Sequence, residues 1–281
     1  MAQDTELKFT HSDFRRVRDM IYQRVGISLN ESKTHMAYAR LAKRVRSSGL
    51  RSFADYLDML EGDQQTAEWQ SFINALTTNL TSFFRESHHF DILREHACMQ
   101  KKPGEIFRVW SSASSTGEEP YSIAITLLDV WREMSGGSFE LVASDIDTNV
   151  LNHAALGVYN QERVEKVSPQ LLRRYFDKGA GTNAGKVRLK KTVRDALIFF
   201  QFNLIAPNWP DIGQFDVIFC RNVLIYFDKS TQSEILAKMA KCLKPNGLLL
   251  LGHSENIVHL TDAYVACGRT AYKLAHPELQ E

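Results

Sequence analysis

The stretch IFRVWSSASSTGEEPYSIAITLLDVW, residues 106–131, decides the fold. It opens on a short apolar strand, Ile106–Trp110, and crosses the small, polar and acidic loop Ser111-Ser112-Ala113-Ser114-Ser115-Thr116-Gly117-Glu118-Glu119-Pro120. It continues as a helix over Tyr121–Trp131. A buried strand feeding a helix through small residues is the opening unit of a parallel α/β sheet. The same grammar recurs downstream. Phe139–Ser144 is a strand followed by a helix from about Thr148, and Phe215–Phe219 is another strand. Lys229–Leu243 is a helix, and Leu248–Gly252 is a strand after the turn Lys244-Pro245-Asn246-Gly247. Such alternation predicts parallel strands covered on both faces. Ala263–Ala266 and Thr270–Leu274 flank Cys267-Gly268-Arg269 and predict a closing antiparallel hairpin.

Before this stretch the chain reads as helices. Thr10 or Ser12 caps a helix that carries Phe14, Val17, Ile21, Tyr22 and Val25 on one face and stops at Gly26. A second helix runs from about Glu31 to Arg46. A third starts at the N-cap Ser52 and spaces Phe53, Tyr56, Leu57 and Leu60 helically; a fourth carries Trp69, Phe72, Ile73 and Leu76. These stripes predict a small bundle. Within the α/β part, residues 178–202 break the rhythm. Gly179, Gly181 and Gly185 form a turn, and Lys186–Lys191 alternates basic and apolar side chains. This predicts a small antiparallel β insertion, either a solvated surface hairpin or an edge that docks an extended peptide.

Length and composition agree with two domains: 281 residues, 44% hydrophobic and 24% charged, which excludes a disordered or fibrous chain. Lys+Arg number 34 against 33 Asp+Glu, so net charge gives no reason to expect nucleic acid. No apolar run approaches the roughly 20 residues of a membrane span, and the N-terminus lacks an export signal. Cys98, Cys220, Cys242 and Cys267 form no CxxC pair and fit reduced thiols in a cytoplasm.

In a doubly wound sheet, ligands sit beyond the carboxyl ends of the strands. The loop after the first strand has no GxGxxG, and Glu118 and Glu119 occupy the place a pyrophosphate would prefer bare, so a dinucleotide is disfavoured. The plain alternative is that both acids complement the helix dipole. After the second strand stands Ser144-Asp145-Ile146-Asp147. Asp145 is suited to ribose hydroxyls, with Asp147 or Thr148 as N-cap. Asn203 could read an adenine edge. Arg221-Asn222 directly follow a buried strand, an expensive arrangement unless it faces a cleft. These loops together suit S-adenosylmethionine, whose ribose, adenine and amino-acid end need no phosphate cradle. Histidines 88 and 89 are adjacent, which is poor helix geometry for one ion, and His253 lacks a partner at ligand spacing, so no metal is implied.

Five segments carry a resemblance. Thr77-Thr78-Asn79-Leu80-Thr81-Ser82-Phe83-Phe84-Arg85-Glu86 resembles the TNLTxFFRE signature of the chemotaxis receptor methyltransferases, the CheR family. So do Ser114–Ser122, Ala143–Asp147, Phe219–Val223 with Ile225-Tyr226-Phe227, and Gly252-His253-Ser254-Glu255. The resemblance spans about Phe14 to Leu274. It implies a Rossmann-like methyltransferase domain with an N-terminal helical domain and a small antiparallel β insertion. It implies an S-adenosylmethionine-dependent protein-glutamate O-methyltransferase acting on cytoplasmic receptor domains and leaving S-adenosylhomocysteine. The expected division is 1–90 helical and 91–281 methyltransferase, with 178–202 inserted.

By resemblance, Asn79, Thr81 and Arg85 form an arm from the helical domain over the cofactor, with Thr81 and Arg85 on one face at i and i+4. Glu119, Asp145, Asn203, Leu204, Arg221 and Asn222 line it from the α/β domain. Sulfonium methyl transfer to an ionised carboxylate needs in-line alignment and exclusion of water rather than a general base. Arg85 and Tyr226 are expected to orient carboxylate and cofactor, Tyr226 by hydrogen bond or π contact; the alternative for Tyr226 is a buried aromatic. Arg40, Lys43, Arg44 and Arg46 spread over one broad side of the second helix, either a solvated face or a surface that steers acidic receptor bundles. Gly179, Gly185 and Arg188 match positions associated with docking a receptor C-terminal peptide, and Lys178 stands where arginine is typical. The expected protein is a cytoplasmic monomer with no nucleic-acid partner and no membrane insertion. The rival readings are a noncatalytic S-adenosylmethionine-binding regulator and a nucleic-acid methyltransferase. The latter lacks its Asn/Asp-Pro-Pro-Tyr/Phe loop here.

Overall fold

The computed structural model describes residues 7–100, 102 and 104–277. The chain divides into two compact units. The smaller runs to Thr78 and takes in Tyr226–Asp228; the larger comprises the rest.

The smaller unit packs α1 (His11–Val25), α2 (Thr34–Ser47), α3 (Phe53–Gly62) and α4 (Glu68–Leu76) around Phe14, Val17, Ile21, Leu41, Tyr56, Leu57 and Phe72, all at 0% exposure. Thr10, not Ser12, caps α1. Its hydroxyl accepts from Asp13 N at 3.1 Å while the Asp13 carboxylate accepts from Thr10 N at 2.8 Å, a capping box. Gly26 ends the helix in the left-handed region, φ +74°. Residues Glu31–Lys33 form a separate 3-10 turn, so α2 starts later than its apolar pattern suggested. Tyr22 leaves the expected stripe: it is 39% exposed, and its hydroxyl donates to Asp228 Oδ2 at 2.5 Å.

Two of the basic side chains of α2 are half-buried and bonded within the bundle. Arg44 grips Glu68 with Nε and Nη2 at 2.9 and 2.5 Å, and the buried Tyr56 hydroxyl donates to the same carboxylate at 2.8 Å. Arg40 Nη1 donates to the Thr77 carbonyl at 2.6 Å, satisfying the open end of α4. Lys43 and Arg46 are exposed.

The larger unit starts with the segment after Thr78 and α5 (His88–Gln100). It then runs β1 (Ile106–Ser111), α6 (Glu118–Glu133), β2 (Ser138–Asp145), α7 (Thr148–Leu156), β3 (Val158–Asn160), α8 (Pro169–Tyr175), β4 (Phe176–Lys178), β5 (Lys186–Leu189) and α9 (Lys191–Arg194). It closes with β6 (Leu197–Gln201), β7 (Phe215–Cys220), α10 (Lys229–Lys241), β8 (Leu243–Leu251), β9 (Tyr264–Gly268) and β10 (Ala271–Leu274). Seven strands form one sheet in the order β6-β2-β1-β7-β8-β10-β9. The first five are parallel, and β10 and β9 form the expected antiparallel hairpin.

Alternate strand residues fill the two faces. Val109, Val217, Phe219 and Leu250 join Leu93 of α5 and Ile123 and Leu127 of α6 in one core. On the other face, Trp110 meets Phe202 and Trp209 edge-on at 5.4 and 5.5 Å. The segment Lys244-Pro245-Asn246-Gly247 is not a separate turn. It lies within β8 as an irregularity, because Phe215 pairs with Leu243 but Val217 pairs with Leu248.

Two expected boundaries shift. The arm at 79–87 belongs to the larger unit, anchored by Phe83, which packs edge-on against Tyr159 and Phe176 at 5.0 and 5.5 Å. The small sheet has the order β3-β5-β4 and begins at Val158, while Leu197–Gln201 pairs with β2 in the main sheet. The 178–202 segment is therefore not one insertion. The basic strand β5 is central, with outer strands β3 and β4, so it offers no docking edge itself.

Replacing Arg44 by Ala strands Glu68 and Tyr56 with an unmatched charge. Chemical denaturation should show a loss of about 1–2 kcal/mol, whereas Lys43→Ala should stay within about 0.5 kcal/mol.

Candidate functional site

The parallel strands β1, β2, β6 and β7 end on one edge of the sheet, and the residues after them converge there. Two buried networks shape that edge.

The first centres on Arg221, which follows β7 and is 4% exposed. Its Nη1 donates to Glu119 Oε2 at 2.9 Å, and its Nη2 donates to the Arg85 carbonyl at 2.5 Å and lies 3.5 Å from Glu86 Oε2. Ser111 Oγ donates to the other Glu119 oxygen at 2.8 Å. Burial pushes the Glu119 carboxyl above the usual range, against the pull of Arg221. Glu86 behaves oppositely: although burial opposes ionisation, Arg221 and its hydrogen bonds hold its carboxyl below the usual range.

The second centres on Glu255. Its two oxygens accept the backbone N–H groups of Asn222, Val223, Leu224 and Gly252 at 2.6–2.9 Å, folding the β7 loop around one carboxylate. Asn222 takes a left-handed conformation, φ +56°. Gly252 is required at this point, since a Cβ there would stand 2.4 Å from Asn222 Nδ2.

Asp145 closes β2. Its carboxylate accepts from Ser115 N at 2.7 Å and Asp147 N at 3.0 Å. Burial, outweighing those bonds, raises its pKa to about 6. Asp147, not Thr148, caps α7 and also receives Asn79 Nδ2 at 2.8 Å, which brings Asn79 to this loop. Phe202 N donates to the Asp145 carbonyl at 3.0 Å, so Asn203 and the buried Leu204 emerge beside Asp145. The Asn203 side-chain oxygen accepts from Ile205 N at 3.2 Å.

The arm departs from the helical spacing used to pair Thr81 with Arg85. Residues 79–82 are irregular and 83–87 are turns, with Phe84 and Glu86 at φ +52° and +54°. Arg85 instead folds back to donate to the Leu80 carbonyl at 2.8 Å. Thr81 is half-buried in the same segment. Tyr226 is half-buried rather than core and packs with the helical unit: its hydroxyl lies 3.5 Å from the Thr78 carbonyl, and its own carbonyl accepts from Ser28 N at 2.8 Å. The remaining cofactor candidates all lie in the larger unit.

Glu118 and Glu119 separate cleanly. Glu118 is fully buried but turned to Arg163 and to the Thr116 hydroxyl, and does not join the Arg221 network. On the small sheet, Lys178 is on β4 and Arg188 on β5, both exposed, with Gly179 and Gly185 shaping the turn between these strands. A Cβ at Gly179 would meet the Asn183 carbonyl at 2.1 Å. Sequence reasoning passed over Glu86 and Glu255 as site elements. Their only signal was their place inside the quoted motifs.

The chemistry fits S-adenosylmethionine. Buried carboxylates outnumber phosphate-type donors, and the buried Arg221 Nε, Ser114 Oγ and Ser115 Oγ find no hydrogen-bond partner among the described residues. Such orphans beside Asp145 and Glu119 suit a ligand bearing hydroxyls, a carboxylate and positive charge.

Residues 79–273 match the family described as "CheR methyltransferase, SAM binding domain", and residues 12–77 the one described as "CheR methyltransferase, all-alpha domain". The chain is 49% identical over 276 residues to the chemotaxis protein methyltransferase of Escherichia coli, covering 98% of this chain and 95% of that one. It is 51% identical over 275 residues to the Salmonella typhimurium protein of the same name, covering 98% and 93%. It is 48% identical over 274 residues to chemotaxis protein methyltransferase 2 of Pseudomonas aeruginosa, covering 96% and 95%. Nearly full-length identity of this kind, with both family domains in order, makes the chain a member of the CheR methyltransferase family, with an S-adenosylmethionine-binding domain after its all-helical one.

Proposed function

We propose that this chain transfers a methyl group from S-adenosylmethionine to glutamate side chains of chemotaxis receptors, forming glutamyl methyl esters. The observation that carries this reading is the buried Arg221–Glu119 pair at the mouth of an acceptor-rich site, in a chain whose near-full-length relatives are named chemotaxis protein methyltransferases. The cofactor supplies an electrophilic methyl group on sulfonium. Asp145 accepts from the ribose hydroxyls, Asn203 and Leu204 meet the adenine, and Glu119, Arg221, Asn222, Asn79, Thr81 and Arg85 hold the amino-acid end. A substrate glutamate is already ionised near neutrality, so the protein orients it and excludes water. Arg85 and Tyr226 do that orienting. The reaction cancels two opposite charges, so a single loosely tied guanidinium suits it better than a cationic clamp. The enzyme works in the cytoplasm as a monomer; no helix among the described residues is long and apolar enough to cross a membrane.

Arg40, Lys43, Arg44 and Arg46 of α2 steer the acidic receptor bundle, with Lys43 and Arg46 the more exposed of the four. A receptor C-terminal peptide docks on the small sheet at Lys178, Gly179, Gly185 and Arg188, adding a strand to an outer edge rather than to β5.

Incubation with methyl-labelled S-adenosylmethionine and receptor-rich membranes should release labelled methanol in base, as esters do and methylated amines do not. Arg85→Ala and Tyr226→Phe should each slow turnover at least about tenfold, roughly 1.4 kcal/mol of barrier; wild-type turnover in both removes their assignment. Charge reversal at Lys43 and Arg46 should raise receptor KM several-fold at low salt, shrink with added salt, and leave cofactor affinity unchanged. Affinity for S-adenosylmethionine should fall as pH drops through about 6, where Asp145 gains a proton and loses acceptor capacity, and calorimetry on Asp145→Asn should show weaker, pH-flat binding. The free protein has the opposite sign: a raised carboxyl pKa favours the fold at low pH, and that contribution is lost as pH rises through about 6.

A further inference from the structure

Beside the Arg221 network, and sharing Glu86 with it, stand two histidines to which the proposed methyl transfer gives no role. One ligand atom from each of Glu86, His88 and His89 lies within 4.8 Å of the other two, and Glu86 Oε2, His88 Nε2 and His89 Nδ1 are the atoms left over. All three atoms are shielded from solvent and find no hydrogen-bond partner among the described residues. Adjacent histidines on a regular helix would diverge. Here α5 begins at His88, Glu86 is in the left-handed region, and the two rings lie tilted by 47° with centroids 4.1 Å apart.

Hydrogen-bond arithmetic makes the cluster acceptor-rich. The Thr270 hydroxyl donates to the Arg269 carbonyl at 2.8 Å, so toward His89 Nε2, at 2.8 Å, it accepts. Nε2 therefore carries the proton and Nδ1 presents its lone pair, 3.8 Å from the Glu86 carboxylate. Two lone-pair donors then face one another with no hydrogen between them, and His88 Nε2 adds a third in its Nδ1–H tautomer.

We propose that Glu86, His88 and His89 form a binding site for a transition-metal dication of the zinc class. Two imidazoles and one carboxylate are the three-ligand donor set that zinc takes with a fourth position open, and the contact between His89 Nε2 and Thr270 is the outer hydrogen bond such a ligand needs. Bond lengths of about 2.0–2.1 Å require the three side chains to close by less than about an ångström each. The surrounding charge permits a cation: three carboxylates, Glu86, Glu119 and Glu255, stand against the guanidinium groups of Arg85 and Arg221. Arg221 and the N-terminus of α5 oppose it locally, so the ion competes with Arg221 for Glu86 Oε2. Zinc then loosens Arg221 and weakens S-adenosylmethionine, and by linkage the cofactor weakens zinc equally. This inhibitory arm rests on the cofactor role proposed for Arg221; the metal site does not.

The test uses the full chain with Co2+ as spectroscopic probe and Zn2+ as competitor. One equivalent of Co2+ should give the intense ligand-field absorption of a low-coordinate site, abolished by Zn2+. His88→Gln should lower metal affinity at least about tenfold while metal-free S-adenosylmethionine affinity stays at the wild-type value. Thr270→Ala, which touches no ligand atom directly bound to the ion, should weaken it about tenfold too. Zn2+ should raise the apparent Kd for S-adenosylmethionine in the wild type and not in His88→Gln. Absence of binding would mean that water alone satisfies the cluster, and equal affinity in both variants would mean adventitious ions, for instance at the exposed Cys98 or Cys267; either result overturns the site. Metal binding that is lost in both variants yet leaves cofactor affinity untouched keeps the site and overturns the role of Arg221.

Discussion

A buried guanidinium organises the larger unit. Taking Arg221 out of water costs several kcal/mol unless its charge is matched and its N–H groups are accepted. The match comes from two separate segments: Glu119 at the start of α6, and Glu86 with the neighbouring Arg85 carbonyl in the arm. The end of β7, the start of α6 and the arm must therefore meet at one point. Removing either carboxylate would leave one side of the buried guanidinium without its acceptor, so the contacts fix geometry more than they add stability.

The same logic runs through the neighbouring loops. Glu255 gathers four backbone N–H groups and so dictates the path of the β7 loop, including the left-handed Asn222. Tyr159 of the small sheet donates its hydroxyl to the Thr116 carbonyl at 2.7 Å, and Arg163 pairs with the buried Glu118. Phe83 wedges the arm against Tyr159 and Phe176. The sheet expected to dock a peptide is thus built against the loop that follows β1.

Charge follows the same division. A net charge of +1 conceals a basic α2 and buried acids at the cofactor edge. Two of the four α2 cations are half-buried, however: Arg40 completes the end of α4 and Arg44 anchors Glu68 and Tyr56, while Lys43 and Arg46 are exposed. Helical spacing alone does not separate these pairs, because a long arginine reaches whichever carbonyl or carboxylate the neighbouring helix presents.

Local rules made much of this protein legible in its sequence. Capping residues, apolar periodicity and small-residue loops start a helix at Ser52, narrow two other starts to Thr10 or Ser12 and to Asp147 or Thr148, and place Asp145, Asn203 and Arg221 at strand ends. Those rules act over a few residues, which is the range of a hydrogen bond along one chain. Contacts between distant segments were decided only by the tertiary structure: that Glu118 turns to Arg163 while Glu119 turns to Arg221, that the arm is irregular chain and turns rather than a helix, and that β5 is central while Leu197–Gln201 joins the main sheet. Two adjacent acids, or two adjacent histidines, are equivalent in sequence. Which of them faces a buried charge depends on segments tens of residues away, because burial makes that choice worth several kcal/mol and local spacing carries no record of it.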